Sequence, residues 1–169
     1  EPSHAAMTRE IRIEPLTAQA FAPFGDVMDT GGAPDKMINA GLCGRYHDRA
    51  QLDFGDDGRA GISIFDAQAR SLPYTLDLME RHPDGSQAFI PMTDAPFLVI
   101  VAEDNDGQPA TPQAFITSPF QAINLHRNVW HGVLTPLRSP GFFAVVDRIG
   151  PTPNLQEFIL DSPYLIVQG

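Results

Sequence analysis

Two short polar clusters hold most of the side chains able to do chemistry in this chain of 169 residues. Asn124-Leu125-His126-Arg127-Asn128-Val129-Trp130-His131-Gly132-Val133 packs two histidines, an arginine, an asparagine and the only tryptophan between apolar segments. Glu80-Arg81-His82-Pro83, followed by Gln87, has the same character. Ionisable groups set amid strand-like apolar sequence point to a pocket rather than a solvated loop. Imidazoles titrate near neutrality and suit proton transfer or metal ligation, and a carboxylate beside one supplies the complementary acid, base or ligand. A third cluster, Arg45-Tyr46-His47-Asp48, offers a planar guanidinium fork for a substrate carboxylate. Each group also has a plainer account: Trp130 as core, His126 as a satisfied structural histidine, Glu80 with His82 as a rim ion pair. Likewise Arg45 fits a solvated edge, and Asp147-Arg148 an internal salt bridge.

These clusters must be positioned by short elements. Sixteen prolines and fourteen glycines are spread along the whole chain, which favours many strands joined by turns, an all-β domain. Alternation predicts strands at Glu10–Glu14, Met37–Asn39, Arg45–Leu52, Gly61–Asp66, Tyr74–His82, Gln87–Met92 and Phe97–Glu103. The series continues with Ala114–Thr117, Gln121–His126, His131–Leu137, Phe142–Arg148 and Tyr164–Val167. Thr17–Phe24 reads as a helix with a threonine cap and Gly25 as its stop. Leu76–Arg81 also fits one short helical piece. As a strand, Tyr74, Leu76, Leu78, Glu80 and His82 share one face, so an apolar face ends in a carboxylate and an imidazole. Asn124 and His126 share a face opposite Gln121, Ile123 and Leu125.

Length fits a single domain over residues 7–169, with Glu1–Ala6 read as an expression remnant ahead of Met7. A formal net charge of −10 argues against nucleic acid or an anionic membrane surface as partner. The lone Cys43 excludes an internal disulfide and fits a reducing, cytoplasmic setting. The longest apolar run, Ala95 to Ala102, is too short to span a bilayer. Glycine-rich phosphate loops, a Gly-x-Ser-x-Gly elbow and a Cys-x-x-Cys pair are all absent from the sequence, which removes kinase, dinucleotide-enzyme and serine-hydrolase chemistry.

Glu80-x-His82-x₄-Gln87, with His131 far downstream, has the spacing at which cupin barrels place His-x-His-x₄-Glu and a distant histidine around a metal. Such a mixed nitrogen and oxygen set suits Ni²⁺, Mn²⁺ or Fe²⁺ better than structural zinc. The sequence as a whole resembles the ureidoglycolate lyase family from Ile11 to about Glu157. The resemblance is carried by Phe24-Gly25-Asp26-Val27, Ile38-Asn39 with Arg45-Tyr46-His47-Asp48, and Glu80-Arg81-His82-Pro83. Further matches are Gln87-Ala88-Phe89-Ile90-Pro91-Met92, Asn124 with His126 to His131, and Asp147-Arg148. It departs at Gly132, where the family usually has a second histidine, at Leu125, where an aromatic is common, and at Ile149-Gly150, where a glycine pair is usual.

The resemblance implies a cupin-like β-barrel or sandwich with one or two short helices near the N-terminus, a homodimer. It also implies cleavage of (S)-ureidoglycolate to glyoxylate and urea in allantoin degradation, with nickel or another divalent ion as cofactor. On that basis Glu80, His82, His126 and His131 are the expected catalytic residues, and Glu80, His82, Gln87 and His131 the expected metal ligands. Arg45, Tyr46, Asn124, Arg127, Trp130 and Arg148 are the expected substrate contacts. Two other readings remain open: a non-catalytic cupin that binds a small carboxylate, and a metal-dependent cupin enzyme acting on another α-hydroxy or ureido acid.

Overall fold

The apolar run ending at Ala102 shows no alternation because both of its faces are buried. In the computed structural model, which describes residues 9–169, all six residues of Phe97–Ala102 are shielded from solvent. The reading of Glu1–Ala6 lies outside the described residues. The strands in chain order are β1 (Arg9–Pro15), β2 (Gly25–Met28), β3 (Lys36–Ile38), β4 (Cys43–Arg45), β5 (Arg59–Ala67), β6 (Tyr74–Arg81), β7 (Gln87–Pro91) and β8 (Phe97–Ala102). They continue as β9 (Asp104–Asn105), β10 (Gln108–Pro109), β11 (Gln113–Ile116), β12 (Ala122–Leu125), β13 (Trp130–His131), β14 (Thr135–Pro136), β15 (Gly141–Ile149) and β16 (Gln156–Val167). One short helix, α1 (Ala18–Phe21), follows β1.

Six of these strands close into a barrel, in the order β8–β11–β1–β16–β6–β13 and back to β8. A second sheet, β2–β12–β7–β15–β5, packs against it. The register sorts the core into two compartments. Leu98, Ile100, Ala102, Ala114, Trp130, Met79, Leu76 and Ile166 fill the closed ring. Phe97, Val99, Val101 and Phe115 point the other way and meet Phe89, Ile123, Leu125, Phe143 and Val145 of the second sheet. The fold is therefore the nearly all-β cupin-like barrel expected, with one short helix.

Several elements differ from the sequence expectation. The helix is only Ala18–Phe21; Thr17 caps it by accepting the Ala20 N–H at 3.1 Å. Pro23 cuts it short, and Gly25 begins β2. A Cβ at Gly25 would sit 1.9 Å from the Asn124 carbonyl oxygen, so only glycine lets β2 approach β12 so closely. The strand expected at Arg45–Leu52 stops at Arg45; Asp48 then turns left-handed at φ 50, and the chain reaches the second sheet at Gln51, whose N–H donates to Asp26. His131–Leu137 is two short strands rather than one. β16 begins at Gln156, eight residues ahead of the expected Tyr164.

Leu76–Arg81 is strand, but its alternation does not hold throughout. The register against β16 shifts between Ile159 and Tyr164, opposite Leu76 and Leu78. Leu76 and Met79 consequently both face the ring interior. The expectation of one common face for Tyr74, Leu76, Leu78, Glu80 and His82 is corrected by that phase change. It lets the apolar start of β6 serve one compartment and its polar end the other, so no carboxylate enters the ring core.

Candidate active site

Glu80 lies directly opposite His131, and His131 opposite Val101, whose side chain faces the second sheet. Cross-strand partners share a face, so Glu80 and His131 look into the space between barrel and sheet. His82 follows at the end of β6; its ring centroid is 5.1 Å from that of His131. One ligand atom from each of Glu80, His82 and His131 lies within 4.8 Å of the others. From the second sheet Gln87, paired with Leu125 and Asp147, points into the same layer.

Hydrogen bonds fix what these groups present. His82 Nδ1 lies 2.9 Å from the Asn154 carbonyl, and His131 Nδ1 is 2.9 Å from that of Gly132. A carbonyl only accepts, so each ring carries a proton on Nδ1, and in its neutral form the lone pair sits on Nε2. Gln87 Nε2 donates to Asp147 Oδ2 at 3.1 Å, which turns Oε1 away as an acceptor. Among the described residues, His82 Nε2, His131 Nε2 and Gln87 Oε1 are buried and have no hydrogen-bond partner. Buried polar atoms are rarely left so, because each costs roughly 1–3 kcal/mol. Three unpaired lone pairs beside a carboxylate fit a divalent cation, and the carbonyls on Nδ1 are the outer contacts that orient ligating histidines.

Burial shifts the charges in the same direction. It pushes the His131 pKa down from 6.5 to about 4, against the Gly132 hydrogen bond and with help from His82. His131 is therefore neutral at physiological pH. Burial also raises the Glu80 pKa; His82 lowers it and the neighbouring Glu157 raises it further. Glu157 pairs with Glu80 across β6 and β16 and is exposed. Sequence reasoning missed it, since only the extended β16 brings it beside Glu80.

Asn124 and His126 lie elsewhere. Asn124 pairs with Ala88 and Asp26, while its neighbours Ile123 and Leu125 face the inter-sheet core. The expected opposition of faces holds, but it sends Asn124 and His126 to the outer face of the second sheet, away from His131. There Asp26 Oδ2 accepts from Asn124 Nδ2 at 3.0 Å and the Gln51 N–H at 2.8 Å, and pairs with His126 Nε2 at 2.9 Å. Burial raises the Asp26 pKa, yet those three hydrogen bonds and the His126 charge outweigh it and hold the carboxyl below its ordinary range. An open cleft of about 310 Å³ beside it is lined by Gln51, Leu52, Asp53, His126 and Arg127.

The remaining expected contacts are also dispersed. Arg45 is exposed on the β3–β4 hairpin, and Tyr46 donates its hydroxyl to the Gly32 carbonyl at 2.8 Å. Arg127 pairs with Asp53 at 3.0 Å. Trp130 is ring core, as in its plainer account: its Nε1 donates to Asp104 at 2.9 Å, and Arg81 lies over its face. Arg148 is buried but donates to the Phe54 carbonyl, Thr152 and Asp57. The expected Asp147–Arg148 bridge does not form, because adjacent strand residues face opposite sides and Asp147 serves Gln87. At Gly132 a Cβ would meet Ile100 and Leu76 at 3.4 Å. A histidine there would enter the ring core, so its absence removes nothing from the Glu80–His82–His131 cluster.

Comparison with known proteins places the chain in a family. The family described as ureidoglycolate lyase matches residues 8–167. A ureidoglycolate lyase of Rhodobacter capsulatus is 64% identical over 94% of this chain and 98% of its own length. One from Chelativorans sp. is 50% identical over 94% and 96%. Ureidoglycolate lyase 2 of Rhizobium meliloti is 49% identical over 91% and 95%.

Proposed function

The chain belongs to the ureidoglycolate lyase family, and we propose that it cleaves (S)-ureidoglycolate to glyoxylate and urea, a step of allantoin breakdown. The observation that carries this reading is the convergence of Glu80, His82 and His131, with Gln87, where three buried lone pairs lack partners. Ureidoglycolate is a carbinolamide bearing a carboxylate. Its cleavage removes the hydroxyl proton, breaks the C–N bond and returns a proton to the departing urea nitrogen, so atoms balance without oxidant or reductant.

His82, His131 and Glu80 would hold a divalent ion, with Gln87 Oε1 as a further oxygen donor. Bound nickel, the ion we favour, would supply a Lewis acid that lowers the hydroxyl pKa and offsets the substrate carboxylate charge. Fixing each imidazole as its Nδ1–H tautomer keeps both Nε2 lone pairs directed inward. Glu157, exposed beside Glu80, is the group we assign to carry the proton from hydroxyl to leaving nitrogen. Burial of His131 and Gln87 keeps water from their inward atoms. An acid–base group so placed contributes roughly 10²–10⁴-fold.

Urea release from (S)-ureidoglycolate, measured with elemental analysis before and after chelation, tests the reading. Saturable substrate binding without urea release would replace it with a carboxylate-binding cupin. A homodimer in the cytoplasm completes the proposal. Ile62, Ile64, Ile90 and Phe142 stand exposed on the outer face of β5, β7 and β15, an apolar strip that a second copy would cover. No helix among the described residues is long and apolar enough to cross a membrane.

A further inference from the structure

We propose that Asn154 is a positioning residue that locks His82 in its metal-binding tautomer, an assignment that rests on the inward cluster being the reaction site. His82 lies just past the end of β6, where its carbonyl accepts the Asn128 N–H at 2.9 Å, a backbone contact that leaves the ring free to turn. The fixing contact comes from 72 residues further along, where the Asn154 carbonyl accepts from His82 Nδ1 at 2.9 Å. Asn154 sits between β15 and β16 at φ 51, a left-handed conformation that asparagine tolerates better than most residues.

The asparagine side chain makes a second, independent grip. Its Oδ1 accepts the Asp84 N–H at 2.7 Å, so one residue holds both 82 and 84. Asp84 in turn accepts the Thr152 hydroxyl at 2.6 Å, and Thr152 accepts from the buried Arg148 at 2.9 Å. The loop carrying His82 and the loop carrying Asn154 are thereby fastened together at Asp84, with Arg148 holding Thr152 in place. Without that fastening the Asn154 carbonyl leaves His82 Nδ1. A free neutral imidazole prefers its proton on Nε2, which would block the lone pair that faces Glu80 and His131.

The experiment uses ¹⁵N-histidine NMR of the metal-free full chain at about pH 8, where histidine is ordinarily neutral. It is paired with calorimetric titration of Ni²⁺ alone. Wild type should show His82 as the Nδ1–H tautomer. Asn154→Ala and Asn154→Gly should both populate Nε2–H, weaken Ni²⁺ binding by about 10-fold or more, and lower kcat with KM little changed. Asn154→Gly retains the left-handed backbone and carries the test if the alanine variant does not fold. Asn154→Asp, which retains the acceptor, should stay near wild type. His82 remaining Nδ1–H in the glycine variant, with Ni²⁺ affinity unchanged, would overturn the proposal. Tautomer and affinity shifts in a protein that releases no urea would uphold the positioning role and defeat the lyase reading instead.

Discussion

The two faces of the second sheet carry polar clusters of similar composition and different bonding. On the outer face, Asp26 accepts from Asn124 and Gln51 and pairs with His126, and Arg127 has Asp53. Among the described residues, Asn124 Oδ1 is the one buried side-chain atom left over there. Across the inter-sheet space from the inner face, both histidines leave Nε2 unpaired among the described residues, beside the Glu80 carboxylate. Gln87, on the inner face itself, does the same with Oε1. Hydrogen bonds that are nearly complete fasten the loop at Gln51 to the sheet; several lone pairs kept buried and unpaired together await a ligand. Residue type alone does not separate the two, since each cluster holds histidine, carboxylate and amide.

The largest test of that contrast is catalytic. His82→Ala should lower the rate of urea release by about 10²-fold or more, whereas His126→Ala should cost less than about fivefold. Equal losses in the two variants would break the comparison. Acid stability sharpens it next. His131 has a folded pKa of about 4 against an ordinary 6.5, so the unfolded chain binds the extra proton between those values. Its effect is absent above pH 6.5, and stability falls as pH drops through the window, by up to about 3 kcal/mol. Glu80, with its raised pKa, opposes this within the carboxylate range. Urea unfolding of metal-free protein at several pH values should show a shallower acid loss for His131→Asn than for wild type. A smaller effect belongs to the outer face: Asp26→Ala should destabilise by about 2 kcal/mol through its orphaned partners, read as a lowered Tm. Its kcat should barely move; a kcat loss matching that of His82→Ala would place the outer cluster in the reaction.

The sequence by itself determined the all-β architecture, because Tyr74–Arg81, Gln87–Pro91 and Phe97–Ala102 announce strands by composition and by the turns between them. It also singled out Glu80, His82, Gln87 and His131 by type and spacing; the folded chain gathers Glu80 and His131 on the neighbouring strands β6 and β13 and brings Gln87 to the same layer from the second sheet. Tertiary structure alone decided the rest. A register shift between β6 and β16 puts Glu80 and Leu76 in different compartments although both positions are even. Parity in β12 was legible, but which face meets the barrel was not, so Asn124 and His126 were expected in the wrong compartment. Arg148 and Trp130 are of types that bind ligands, yet their partners, Asp57 and Thr152 in loops and Asp104 on the short hairpin strand β9, are set by chain paths no local pattern encodes. Periodicity reports the orientation of a side chain relative to its neighbours; what lies on either side depends on long-range pairing, which only the folded chain supplies.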